Sequence, residues 1–370
     1  MGVPFIDLAA QQAEIAIEVE PAVLDILRRG AFVGGPAVAA FEQEYAAFLG
    51  VAHCVGVGNG TDAVELALRA AGVTPGGEVI MPANTFIATA EAASRIGAIP
   101  VPVDVDPDFL LIDPDAVAAA ITPRTQAIVP VHLFGQVAPV ERLEPIAAAH
   151  GLPIVEDAAQ SQGAERLGRK AGALGRVSAT SFYPGKNLGA SGDGGAVLTD
   201  DDTLARTLRL MGNHGSIVKY SHEIVGMNSR LDAVHAVTLS AKLRRLPEWN
   251  ERRREAAARY AVLLSGVPGV RVPQSMPGNC DIWHLYVIRV ATGRDRLLAE
   301  LTAAGIGAGL HYPDPWHLTP AYAHLGYQRG SCPVAEQAAT EMLSLPMFPH
   351  LSADQQREVA DAIRSAAEGW

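Results

Sequence analysis

The sequence predicts an α/β fold, with a mixed, mostly parallel sheet in a large first domain and a smaller α+β C-terminal domain. Three observations carry that expectation. Between residues 52 and 200, short apolar runs alternate with amphipathic stretches, the mark of strand–helix–strand units. From residue 177 the pattern changes to two strand-like runs, VSATSFYP and GAVLT, around a Gly-rich turn, which adds an antiparallel component. The chain has 370 residues, 49% hydrophobic and 19% charged, enough for two domains with a substantial core and incompatible with general disorder.

In chain order, the runs at 79–81, 99–103, 127–133 and 153–155 are bounded by Gly, Pro or Asp and read as buried strands. The stretches at 61–71, 88–96, 114–121 and 140–150 place apolar residues at helical spacing. Strands that read as continuous apolar runs imply a sheet covered on both faces. Two amphipathic helices are expected at 230–246 and 248–264. The second carries Glu251-Arg252-Arg253-Arg254-Glu255, which reads as a solvated helix face. Beyond 282 the pattern predicts a strand at 283–290, a helix at 294–304, a strand near 307–312 and two C-terminal helices. The domain division falls near 245, giving 1–245 and 246–370.

Lys+Arg 29 against Asp+Glu 40 gives a formal net charge of −11, which argues against non-specific nucleic-acid binding while leaving room for a local anion pocket. Only four of the 29 cationic residues are lysines: Lys170, Lys186, Lys219 and Lys242. An arginine cannot replace a lysine whose amine must lose its proton, so each of the four is a candidate. Cys54, Cys280 and Cys332 are odd in number and form no C-x-x-C pair, so neither a disulfide framework nor a metal site is expected. The stretch MGVPFIDLAA has no basic segment leading into an apolar run, Ile6 breaks the myristoylation pattern, and no apolar run is long enough to span a bilayer. A soluble, cytoplasmic protein is the expectation.

Three motifs carry chemistry. Lys186, in SFYPGKNLGASGDGG, follows a strand and a Pro184-Gly185 turn, and its glycines let backbone approach a ligand closely. An amine that forms a Schiff base must be a lysine with a pKa lowered by its surroundings. Asp157, in LPIVEDAAQ, ends an apolar strand and so places a carboxylate at the sheet edge where open α/β folds bind ligands. Such a carboxylate suits the pyridine nitrogen of pyridoxal phosphate (PLP), keeping that ring protonated as an electron sink. Small Ala159 leaves room for a flat ring, and Gln160 has hydrogen-bonding capacity for a ring oxygen. The third motif, VGNGTDA, runs into a helix whose free N–H groups and dipole suit a phosphate. On that helix Glu65 and Arg69 read as an i,i+4 pair on the wet side, with Val64, Leu68 and Ala71 inward.

The runs GNGTDAVELALRAAGV, MPANTFIATAEA, VPVHLFGQ, VEDAAQSQGA, SFYPGKNLGASGDGG, GMNSRLDAVHA, LHYPDPWHLTPAY and LSLPMFPHL together resemble the sugar aminotransferase family often called DegT/DnrJ/StrS. The resemblance extends from about Phe5 to Ala362. It implies a fold-type I, aspartate-aminotransferase-like architecture, PLP bound covalently to lysine, and a homodimer with active sites at the subunit interface. By motif, Lys186 matches the Schiff-base lysine, Asp157 the partner of the pyridine nitrogen, Gln160 the residue near the ring hydroxyl, and Phe86 the stacking aromatic. Gly60 and Thr61 offer backbone N–H groups to the phosphate, Ser181 its hydroxyl, and Asn228 matches the asparagine that reaches the phosphate from the neighbouring subunit. Tyr183, Lys219, Tyr220, His311 and Tyr312 fall where the family lines its nucleotide-sugar pocket.

His132 reads either as a core histidine or as a substrate contact. His235 stands where the family commonly has Gln, and Cys332, where an aromatic is usual, is expected near the substrate mouth. The resemblance implies two half-reactions, with L-glutamate leaving as 2-oxoglutarate and a nucleotide-linked keto sugar receiving the amine, for antibiotic or cell-surface glycan biosynthesis. Its details are most like enzymes acting at C-3 of TDP-3-keto-6-deoxyhexoses. A C-4 sugar or cyclitol aminotransferase is the near alternative. A PLP-dependent sugar dehydratase and a catalytically silent binding protein are more distant.

Overall fold

The computed structural model describes residues 2–367. Its main layer contains β1 (His53–Val57), β2 (Glu78–Pro82), β3 (Ile99–Val103), β4 (Thr125–Ile128), β5 (Val155–Asp157), β6 (Val177–Ser181) and β7 (Gly195–Thr199). These form two hydrogen-bonded groups, β1-β7-β6-β5 and β4-β2-β3, which parallel bridges from Ile128 to Ile154 and from Val131 to Asp157 join edge to edge. Only β7 runs against its neighbours, so the sheet is mixed and mostly parallel, as the sequence predicts. β2, β6 and β7 are buried along their whole lengths, because helices cover both faces.

Register brings the ends of these strands to one edge. Gly195 opposes both Val57 at the end of β1 and Ser181 at the end of β6. Asp157 pairs with Ala179, two residues short of Ser181. The carboxyl ends of β1, β5 and β6 therefore form one rim, the ligand-binding edge of an open α/β sheet.

The helices around this layer are α1 (Leu8–Arg29), α2 (Pro36–Leu49), α3 (Gly60–Ala70), α4 (Ile87–Arg95), α5 (Pro114–Ala120), α6 (Val140–His150) and α7 (Asp202–Gly212). The first two occupy a stretch to which sequence periodicity assigned nothing. Asp7 caps α1 by accepting from the Ala10 N–H, and left-handed Gly30 ends it. The run expected as a strand to 133 ends at Ile128 and turns into the His132–Gly135 corner instead.

Where two helices were expected, α8 (Ala233–Leu263) is continuous for 31 residues, with Pro247 inside it. Proline removes one helical donor and crowds the preceding turn, but packing on both sides of it holds the helix. Leu239, Leu243 and Leu246 join Phe41, Tyr45 and Phe182 in one core, while Ala256, Ala257 and Tyr260 belong to the C-terminal core. The basic run on α8 also departs from expectation. Arg254 pairs with Glu251 and Arg252 with Glu248, but Arg253 is buried, donating from Nη1 to the carbonyls of Trp283 and Met347, each at 3.0 Å.

The C-terminal part adds α9 (Arg294–Ala303), α10 (Pro333–Glu341) and α11 (Ala353–Ala367) around an antiparallel pair, β8 (Tyr286–Val290) and β9 (Met342–Leu345). The strand expected near 307–312 is reduced to one bridge between Gly309 and Ser344, and β9 takes its place beside β8. Among the described residues no helix is long and apolar enough to cross a membrane.

Behind the rim, β5 is anchored through Glu156, which points away from Asp157. Glu156 is fully buried, accepting from the N–H groups of Gly172, Leu174 and Gly175 at 2.7–2.8 Å and contacting His132 Nε2 at 2.7 Å. His132 Nδ1 accepts from the Ala138 N–H, so Nε2 carries the proton given to Glu156. This settles His132 as a core residue. Burial pushes the Glu156 pKa up, but these donors outweigh it and hold the carboxyl below the usual range. Glu156→Ala should therefore cost about 3–5 kcal/mol at neutral pH. Because the folded pKa is depressed, the carboxylate's contribution is present above the unfolded value of about 4.5 and lost as pH falls through the folded value. Urea unfolding at pH 7 and at acid pH checks both; a loss under 1 kcal/mol at pH 7 contradicts the anchor.

Candidate active site

The rim begins where β1 leads into α3. Asn59 caps that helix, its Oδ1 accepting from the Asp62 N–H at 2.8 Å, and leaves the N–H groups of Gly60 and Thr61 as the helix's open donors. A Cβ on Gly60 would stand 2.5 Å from the Ser181 Cβ, so glycine is what lets the start of α3 and the end of β6 touch. The Ser181 oxygen accepts from the Tyr183 N–H at 3.2 Å, leaving its own proton to give. Backbone donors, a hydroxyl and a helix N-terminus thus share one spot.

The first turn of α3 is braced from outside. Ser229 accepts from the Gly58 N–H and donates to Asp62, and Arg95, at the end of α4, bridges Asp62 and Glu65, both at 2.9 Å. Arg69 does pair with Glu65 at 2.8 Å, but Glu65 is buried rather than wet because Arg95 reaches over it.

Asp157 ends β5 with its carboxylate buried and oriented by two donors, the Thr89 hydroxyl at 2.8 Å and the Ala159 N–H at 3.1 Å. Gln160 accepts from the Phe134 N–H at 2.7 Å and donates to the Tyr312 hydroxyl at 3.0 Å. The Tyr312 ring lies 5.1 Å from that of Phe86, which is half exposed at the N-terminus of α4. Thr89, three residues after Phe86, was not singled out from sequence; its helical spacing to Phe86 was the available signal.

Lys186 follows β6 through a turn closed by its own N–H on the Tyr183 carbonyl at 2.8 Å. Burial lowers its pKa to about 8, against the opposing pull of Asp157. His311 and His284 share this surrounding. His311 is stacked on Phe5, contacts the Ser344 hydroxyl at 2.9 Å, and is lowered to about 4 by burial and by Lys186. His284, also missed from sequence, is held well below its usual value by burial and the charges of Lys186 and Arg253.

Gly60, Thr61, Phe86, Asp157, Ala159, Gln160, Ser181, Lys186, His311 and Tyr312 are thus drawn together on the rim. Tyr183 is exposed beside it. Asn228, Lys219 and Tyr220 are exposed on the stretch 213–230, whose buried Ser229 reaches Gly58 and Asp62, and the Lys219 amine lies over the Tyr220 ring at 5.0 Å. Cys332 is not at an open mouth; it is buried in the main core, and burial with Asp104 and Glu336 pushes its thiol up to about 12. His235 fills the space over Gly192, and its Nδ1 is buried without a partner.

The donor set fits PLP: an anion cradle that a Cβ would fill, a carboxylate one strand away, an aromatic face and a lysine whose pKa burial lowers. Comparison with known proteins agrees. The family model for DegT/DnrJ/EryC1/StrS aminotransferases matches residues 13–364. A Saccharopolyspora erythraea protein named erythromycin biosynthesis sensory transduction protein EryC1 is 50% identical over 363 residues, covering 98% of each chain. A Streptomyces venezuelae protein named dTDP-3-amino-3,4,6-trideoxy-alpha-D-glucose transaminase is 48% identical, covering 99% of this chain and 96% of the relative. The crystal structure of S. venezuelae DesV in complex with a ketimine intermediate matches with a TM-score of 0.96 at 48% identity, covering 99% of both chains. The chain belongs to the DegT/DnrJ/EryC1/StrS aminotransferase family and is a PLP-dependent aminotransferase.

Proposed function

We propose that the chain transfers an amino group from L-glutamate to C-3 of a dTDP-linked 3-keto-6-deoxyhexose. The observation that carries the reading is the rim itself: the buried Asp157 carboxylate, oriented by Thr89, beside the Gly60–Ser181 contact, with Lys186 in the turn that follows β6. The S. venezuelae transaminase, similar over nearly the whole chain, supports the sugar class. When bound, PLP supplies an electron sink for the bond broken at the amino donor's α-carbon. In this reading Asp157, oriented by Thr89, would pair with the ring nitrogen, Gly60, Thr61 and Ser181 would hold the phosphate, Ala159 and Phe86 would lie against the ring, and Gln160, which donates to Tyr312, would serve its oxygen. Lys186 would hold PLP and, when freed, its amine would move a proton as base and then as acid in each half-reaction. His311 and Tyr312, with Tyr183, Lys219 and Tyr220, contribute to the sugar-nucleotide side.

The reading includes a homodimer with shared sites, a PLP-binding part at 1–245, a C-terminal part at 246–370, and a cytoplasmic location in keeping with a biosynthetic enzyme. The exposed apolar side chains of Phe32, Val33, Ile217, Val218, Tyr220 and Val225 support a second copy as cover, near the stretch that carries Asn228. Sedimentation equilibrium at micromolar concentration should return twice the chain mass; a monomer there contradicts the shared site. The name of the S. erythraea relative favours a second reading, a binding or regulatory protein. The intact rim and the Lys186 amine support catalysis over it.

Incubation with glutamate and, separately, a 3-keto and a 4-keto dTDP-6-deoxyhexose tests the proposal. NMR of the products should place the new amine at C-3. Amination at C-4 alone shifts the reading to its near alternative, and no amination of either sugar overturns it.

A further inference from the structure

Lys186 is followed by Asn187, which is buried and carries a directed chain of hydrogen bonds. The amide of Asn250, on α8, donates to the Gln162 main-chain carbonyl at 3.0 Å, so its oxygen faces the other way. That oxygen accepts from the Asn187 amide nitrogen at 3.0 Å, and the same nitrogen donates to the Ile282 main-chain carbonyl at 3.1 Å. Main-chain carbonyls only accept, so the two of them fix the orientation of both asparagines. With the Asn187 nitrogen committed to donating, its oxygen is left to accept. The group facing it is His284 Nδ1 at 3.2 Å, which must then bear the proton.

The backbone around His284 is held with equal care. Trp283 has φ +48°, in the left-handed region that non-glycine residues rarely adopt, and its carbonyl accepts from the buried Arg253. Gly135, at φ +99°, packs so closely that a Cβ there would lie 2.6 Å from the main-chain nitrogen of His284. Asn250 and Arg253, three residues apart on α8, thus brace the residue after Lys186 and the segment that bears His284.

We propose that Asn187 is a positioning residue for the transamination, holding His284 as the neutral, Nδ1-protonated tautomer in the wall beside Lys186. A ring protonated on Nδ1 alone keeps Nε2 as its acceptor and adds no second cation near Lys186. The groups facing His284 are Lys186, Arg253 and His311, all of which oppose a further positive charge there. Those facing Lys186 are Asp157, His284 and His311. The inference rests on Lys186 being the reacting amine, yet the tautomer itself is measurable without turnover.

Long-range ¹H–¹⁵N spectra of the apo chain read that tautomer, with the His284 signal identified by its loss in His284→Gln. The expected result is one neutral ring protonated on Nδ1 from pH 6 to 9. An Nε2-protonated ring, or an imidazolium at pH 7, overturns the proposal. In Asn187→Asp the new carboxylate should raise the His284 pKa by about one unit or more, a tenfold or greater gain in proton affinity. The visible band and kcat/KM of the PLP-loaded variant should then gain an ionisation that wild type lacks, and Asn187→Asp combined with His284→Gln should abolish it. A wild-type pH profile in a folded Asn187→Asp, or an added ionisation that persists in the double variant, contradicts the positioning role. If Asn187→Asp does not fold, the wild-type spectra still decide the tautomer. Inactivity of wild type toward every keto sugar would sink the functional reading while leaving the tautomer result intact.

Discussion

The site depends on one constraint: an amine must stay partly unprotonated while facing a carboxylate that favours its charged form. Proximity to Asp157 alone would raise the Lys186 pKa, and only burial at the end of β6 brings it down to about 8. Burial there is a property of the whole sheet. That strand end is fixed by Gly195, which pairs with both Val57 and Ser181, and by Gly60, which is bare where α3 meets β6. His284 and His311, whose charging Lys186 opposes, are both depressed by burial, so neither favours a cation beside the amine near neutral pH. The open N–H groups at the N-terminus of α3 meet Ser181 at the end of β6, the same strand that leads on to Lys186.

Both faces of β5 contribute. Asp157 faces the rim, and its neighbour Glu156 faces the core and collects three backbone donors and His132. Alternation along a strand puts the two adjacent carboxylates on opposite sides, one available to a ligand and one used to fix the strand. The net charge of −11 therefore says little about the site, whose chemistry is local.

Much of this was legible in the sequence because the signals were local. The alternation of short apolar runs with amphipathic stretches located β2, β3, α3, α4, α5 and α6 to within a residue or two. The strand-end Asp157, the Gly-flanked Lys186 and the helix-entry GNGT lay in continuous motifs, and the structure draws them to one rim. What sequence misread was decided by partners distant in the chain. Pro247 looked like a helix end, yet cores on both sides carry α8 through it. Arg253 looked solvated beside its charged neighbours, but carbonyls from residues 283 and 347 converge on its guanidinium. Glu65 was placed on the wet side because nothing in its own helix foretold Arg95. His284 and Asn187, nearly a hundred residues apart, have no pattern that connects them before the fold does.

The scarcity of lysine makes the central claim easy to test, since PLP has only Lys170, Lys186, Lys219 and Lys242 to choose from. Lys242 also has a pKa lowered to about 8 by burial, so a depressed pKa alone does not select Lys186; the neighbouring carboxylate and cradle do. Borohydride reduction of the PLP-loaded protein, followed by digestion and mass mapping, reads the choice directly. The account predicts the reduced cofactor on the peptide carrying Lys186 and on no other. Label on Lys170, Lys219 or Lys242, or a link that still forms in Lys186→Arg, would contradict it.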